Sequence, residues 1–136
     1  MDKRFVVCAL VVSLMSLLLG LLVHGVLLRD PSAALGGLMR GAEASAYLPQ
    51  LIAAHLSAGF GLTWLYRQIA PHGERSLTRG LRFGTAMVLA AVLPGALLVH
   101  TLQPAPVVLA QALYASAAML VLGLLLGYLN PRRASL

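Results

Sequence analysis

A chain of 136 residues, 60% hydrophobic and only 10% charged, cannot hide its apolar surface in a water-soluble fold, because small domains keep much of their surface in solvent. Its composition calls for the bilayer as solvent, and its length for one domain, residues 1–136. The formal charge of +6 does not by itself indicate nucleic acid, because its distribution, taken up below, argues otherwise, and the single cysteine, Cys8, excludes an intrachain disulfide and any CxxC motif.

The first apolar segment runs over about 5–28. Its start, Asp2-Lys3-Arg4, resembles the n-region of a secretory signal. The apolar run is longer than the roughly 7–15 residues of a signal's core, and no clear Ala-x-Ala cleavage site follows it, so a retained helix is expected. Cys8 lies too early in it for lipidation and reads as a small buried hydrophobe. "RDPSAALGG" closes the segment, with Asp30 placed to cap a short helix that Pro31 begins.

The second segment covers about 47–69 and stops at "APHGE". The third covers about 81–101, and Pro94 inside it predicts a bend. "QPAP" then makes a tight connection to the fourth, about 107–129, which "NPRR" ends because proline cannot continue a helix. Each segment has roughly 20 residues or more, enough at ~1.5 Å per residue to cross a ~30 Å hydrocarbon core. The alternation of barrel strands is missing. The expected fold is all-α: a polytopic membrane protein with four transmembrane helices in a compact bundle.

Lysine and arginine set the orientation. Lys3, Arg4, Arg67, Arg75, Arg79, Arg82, Arg132 and Arg133 fall on one side, and only Arg29 and Arg40 on the other. The positive-inside rule puts both termini and the 70–80 loop in the cytoplasm. Topology and contact with anionic lipid account for these charges without nucleic acid. Trp64, Tyr66, Phe83 and Tyr128 fit an aromatic belt at the inner interface, and Tyr47 one at the outer.

Lipid tails are as apolar as leucine, so helices in a bilayer meet where residues are small. Every span offers such positions: Ser16-x-x-x-Gly20; Ala53, Ser57 and Gly61, with Gly59 beside them; Gly80-x-x-x-Gly84 and Ala91-x-x-x-Gly95; Gly123-x-x-x-Gly127. They predict close packing, within one bundle or between subunits. "LLVH" at 21–24 and again at 97–100 hints at two related hairpins.

No charge lies near the middle of any span. Proton-coupled transporters depend on such a charge, which sets a small channel or transporter behind other readings. The remaining polar groups gather toward the outer leaflet. His24 lies roughly 6 Å below the outer surface and His55 roughly 12 Å, while His100 ends the third span; the fourth histidine, His72, sits in the cytoplasmic loop. Gln50, Gln103 and Gln111, with Glu43 and Arg40, lie at similar or shallower depth. Two imidazoles on facing helices can ligate haem, three can hold a transition metal, and any of them can titrate near neutrality. The plainer alternative is that each histidine sits among headgroups or hydrogen-bonds a neighbouring helix. His24, His55 and His100 are therefore the candidate cofactor residues, with Ser57, Gly59, Gln50, Gln103 and Gln111 as candidate pocket residues. No H-x-x-x-H, GxSxG or Walker spacing is present. Glu43 can serve His55 as an acid–base partner only if the outer loop folds back.

The runs "HLSAGFGLTWLYRQ", "RGLRFGTAMVLAAVLPGALL" and "QPAP", within about 55–106, resemble those of small bacterial four-span membrane proteins. The resemblance implies the fold and a bacterial inner membrane, and it brings no activity or catalytic residues. The expected role is non-catalytic: an accessory or assembly subunit of a membrane complex, or a homo-oligomer that binds a lipophilic ligand. The alternatives are a haem or metal redox protein and a small channel or transporter.

Overall fold

A computed structural model describes residues 2–23, 44–69, 76–100 and 104–130, and all regular structure in them is helical. Helix α1 is Lys3–Leu22, α2 is Ala44–Ile69, α3 is Ser76–Met87, α4 is Leu93–Val99 and α5 is Ala105–Leu129. A π-helical turn, Val88–Val92, joins α3 to α4, so that 76–99 forms one continuous span.

Local chemistry sets the ends. The Asp2 side chain accepts from the Arg4 N–H at 3.2 Å and caps α1. Pro104 precedes α5 and Pro106 stands in its first turn, where a missing N–H has no cost. At the far end the Asn130 backbone N–H and side-chain Nδ2 both donate to the Leu126 carbonyl, at 3.1 and 2.9 Å, satisfying a carbonyl that the helix leaves open. The third span begins at Ser76 rather than near 81, so Arg79 lies on helix instead of loop. The bend expected at Pro94 takes the form of the π turn. Proline has no N–H for the Ala90 carbonyl, its ring crowds that carbonyl, and the Leu93 N–H bonds back to Val88 instead.

Three helical spans, Lys3–Leu22, Ser76–Val99 and Ala105–Leu129, are long and apolar enough to cross a membrane. With 26 residues α2 has the length. Gln50, His55, Arg67 and Gln68 dilute it, and it does not reach the same apolarity. It is the helix on which the polar candidates of the sequence are concentrated.

The chain divides into two compact units, Met1–Leu62 and Thr63–Leu136, with the boundary inside α2. In the first unit, α1 buries Cys8, Ala9, Val12 and Ser13. Gly59 faces them so closely that a Cβ there would collide with the Ser13 side chain and stand 2.7 Å from the Ala9 carbonyl oxygen. The Ser13 hydroxyl donates to that carbonyl at 2.8 Å, so its polarity is satisfied inside α1. Phe5 and Phe60 add an edge-on ring contact at 5.9 Å.

The second unit is organised by a glycine seam. Gly80 and Gly84 of α3 lie against Gly123 and Gly127 of α5, and a Cβ on any of the four would run into backbone of the other helix. Removing four side chains lets the backbones approach, which is how helices gain dispersion contact in a solvent that supplies no hydrophobic drive between them. Leu122 and Leu126 of α5 and Phe83 of α3 complete the buried seam. Elsewhere the large apolar residues face outward, among them Leu89, Leu97, Leu98, Leu109 and Leu113, the pattern of helices with lipid as solvent.

Candidate functional site

His55 is the best-defined of the candidate residues. It is half-buried, and its Nδ1 lies 2.8 Å from the Ser16 hydroxyl of α1. The ring lies over Gly20: a Cβ on that glycine would come within 3.2 Å of both Cε1 and Nε2. The Ser16-x-x-x-Gly20 pair thus forms a notch that receives an imidazole, with the hydroxyl supplying polarity and the glycine space. With the ring proton on Nε2, the serine donates to Nδ1; the other tautomer reverses the bond. Ligation of haem or metal by His55 must then use Nε2, since Nδ1 is engaged.

A serine–histidine contact is also the first half of a nucleophilic pair. Nucleophilic catalysis further needs a group that orients the second ring nitrogen and donors for a developing oxyanion. The groove beside His55, of about 220 Å³, is lined by Leu10, Ser13, Leu14, Leu17, Ile52 and Leu56. Its one further hydroxyl, on Ser13, is committed to Ala9. The chemistry of this setting is that of a polar lock between two helices.

The other candidate residues scatter. Gln50 and Ser57 are exposed, and Gly59 is buried against α1. His24 and Gln103 lie outside the described residues, as do His72, Arg40 and Glu43. Among the described residues no three His, Cys, Asp or Glu side chains are grouped to hold a metal ion. His55 belongs to the first unit and His100 to the second. Ser16 was read from sequence only as a packing residue. Its spacing to Gly20 was the one signal for its role, and nothing in sequence tied it to His55.

His100 ends α4, with its backbone N–H bonded to the Ala96 carbonyl at 2.9 Å, and its side chain is exposed. Among the described residues it is the sole polar side chain lining an open groove of about 740 Å³. Leu93, Ala96 and Leu97 form one wall, and Pro106, Val108 and Leu109 of α5 are among the residues of the other. Ala96 and Ala112 keep the groove wide by being small. Gln111 lines an adjoining, smaller groove of about 200 Å³ that shares Ala96, Val108 and Ala112 with the first and is also bounded by Val92, Gly95, Val99 and Ala115.

At the other end of the second unit the polar residues take two forms. Arg67 Nε donates to Asn130 Oδ1 at 3.3 Å, tying the end of α2 to the end of α5. Tyr66 is buried with its ring edge-on to Phe83, centroids 5.3 Å apart. The aromatic belt expected here therefore divides: Trp64 and Tyr128 face outward, while Tyr66 and Phe83 pack on each other. Tyr47 has no described side-chain environment. Thr63 is fully buried one turn before Tyr66.

No family model, no curated protein and no solved structure matches this chain. The functional reading rests on the residues themselves.

Proposed function

We propose that the chain is a four-span protein of the bacterial inner membrane, both termini cytoplasmic, that works without catalysis by holding a lipid-like molecule along its third and fourth spans. In this reading α2 supplies the remaining span, its polar residues satisfied by contacts such as Ser16–His55 rather than by lipid. The protein acts as a homo-oligomer or as a subunit of a membrane complex. The observation that carries the reading is the groove of about 740 Å³ whose walls are apolar and whose one polar lining residue, among the described residues, is His100. Ligand pockets span about 300–1,000 Å³ and are mostly apolar with a few placed polar groups. An acyl chain matches walls of Leu93, Leu97 and Leu109, and a headgroup matches the imidazole that closes α4 at the outer interface. The glycine seam keeps α3 and α5 in fixed relation, so the groove is a feature of a rigid hairpin.

Native mass spectrometry of the protein released from nanodiscs tests this. The expected result is a retained lipid on the wild type and its loss in Ala96→Trp and Ala112→Trp, which fill the groove. A wild type without lipid, or variants that retain it equally, would refute the reading. Orientation is tested separately by phosphatase fusions: activity is expected after residue 42 and not after residue 73. The reverse pattern would overturn the assigned topology.

A further inference from the structure

Three buried polar atoms among the described residues have no hydrogen-bond partner: Thr63 Oγ1, the Tyr66 hydroxyl and Arg79 Nε. All three belong to the second unit. Buried polar groups are nearly always paired, and each exception asks for a reason, such as a missing ion or water. Thr63 is notable here because other helical hydroxyls do find partners. Thr85 and Ser116 each donate to the carbonyl four residues back, at 3.0 and 2.7 Å, whereas the Thr63 hydroxyl makes no such bond although the residue is fully buried.

Tyr66 and its ring partner Phe83 connect the three groups. Thr63 and Tyr66 are three residues apart on α2 and so share a face. Phe83, which packs edge-on against Tyr66, is four residues from Arg79 on α3 and shares a face with it. Every one of the three can donate a hydrogen bond, and among the described residues none of the three atoms has an acidic partner. Arg79 is half-buried, so its Nε is enclosed while part of the side chain remains at the surface. In the proposed orientation this end of the hairpin lies at the cytoplasmic leaflet, where anionic lipid phosphates are concentrated.

We propose that Arg79, with the hydroxyls of Tyr66 and Thr63, forms a phosphate site at the cytoplasmic end of the second unit. A phosphate offers several acceptor oxygens to donors that otherwise have none, and arginine recognises it with charge-assisted bonds. The site is distinct from the His100 groove, which lies at the opposite end of the same hairpin. Two sources supply the chemistry: the headgroup of an anionic phospholipid, or free phosphate.

The experiment uses the full chain in nanodiscs, with unfolding followed by the fluorescence of Trp64, the only tryptophan. One arm compares phosphatidylglycerol with phosphatidylcholine discs. The other titrates inorganic phosphate into phosphatidylcholine discs. Arg79→Gln and Tyr66→Phe are compared with Arg82→Gln, a control at an exposed arginine on the same helix. Stabilisation in phosphatidylglycerol assigns a lipid headgroup, and stabilisation by inorganic phosphate assigns the free ion. In either case Arg79→Gln and Tyr66→Phe should each weaken the apparent affinity tenfold or more, and Arg82→Gln less than threefold. Tyr66→Phe keeps the ring against Phe83 and removes only the hydroxyl, so its effect cannot be assigned to lost packing. Failure of both probes to stabilise the wild type would overturn the proposal, as would equal losses for Arg79→Gln and Arg82→Gln or an unchanged affinity in Tyr66→Phe. None of these outcomes bears on lipid retention in the groove.

Discussion

Replacement of Gly123 by alanine tests the packing of the second unit most directly, because the sign of the effect is at stake. In a helix interior, alanine in place of glycine gains about 0.5–1 kcal/mol from the unfolded chain's lost freedom. At Gly123 the added methyl would lie 2.8 Å from the Gly84 nitrogen and 2.9 Å from its Cα, and closer still to the Gly80 carbonyl oxygen. These are backbone atoms, so no rotamer change relieves the overlap. The methyl is roughly half an ångström or more too near, and the two helices must part along the seam to admit it, giving up the dispersion contacts of its neighbours. Overpacking of this kind costs about 1–3 kcal/mol, which outweighs the propensity gain. At Gly95 and Gly61 nothing lies within 4 Å of the added methyl, and alanine should be neutral or stabilising there. The propensity gain is common to both sites, so the expected separation between Gly123→Ala and Gly95→Ala is the overpacking cost, about 1–3 kcal/mol, or roughly 5- to 150-fold in the unfolding equilibrium. Reversible unfolding in bicelles, followed by Trp64 fluorescence, measures it. If Gly123→Ala proves as stable as Gly95→Ala, the seam is not the close contact described, and the rigid hairpin behind the lipid groove loses its basis.

Other outcomes follow from the same geometry. Ser16→Ala should destabilise the first unit by about 0.5–1.5 kcal/mol, with a coupling to His55 near the ~0.6 kcal/mol average for interhelical bonds in bilayers; a double-mutant cycle with His55→Phe showing no coupling would remove the lock. Gly20→Leu should cost more than Ser16→Ala, since it drives a side chain into the imidazole; equal unfolding midpoints would contradict the notch. Trp64 is 57% exposed, so brominated lipids should quench its emission strongly, and weak quenching would show that another surface covers it. Pro94→Ala returns an N–H to the helix and removes the cause of the π turn. Spin labels at the exposed positions Leu81 and Leu97 should then change their separation, and an unchanged distance distribution would mean that the turn does not depend on the proline.

Sequence made the helices legible because length and apolarity are properties of each segment alone. It was weaker on which face of a helix packs. In a soluble helix the apolar stripe gives the phase, but α1 and α5 are apolar all round, and lipid accepts any of their faces. Only small residues then mark a contact, and they mark it incompletely. Gly80, Gly84, Gly123 and Gly127 were correctly suspected, whereas Ala53, Ser57 and Gly61 are exposed and the packed position is their neighbour Gly59. Ala91 is exposed and Gly95 meets nothing, although their spacing is as good as that of the seam. A stripe works as an interface only when a second stripe lies opposite, and that is a property of two helices at once.

The same argument explains the histidines. From sequence, His24, His55 and His100 share one leaflet, and depth alone suggests a common site. Depth fixes one coordinate of three, while the angle about each helix decides what a side chain meets. His55 is turned to the notch of Ser16 and Gly20, a partner invisible in its own helix's sequence. His100 is turned to an apolar groove, where its imidazole has polarity to offer and no polar partner among the described lining residues. An imidazole already bonded to its neighbour serves the fold. One left open at the mouth of an apolar groove is available to a ligand headgroup, and this contrast is why the functional reading rests on His100 rather than on the deeper His55.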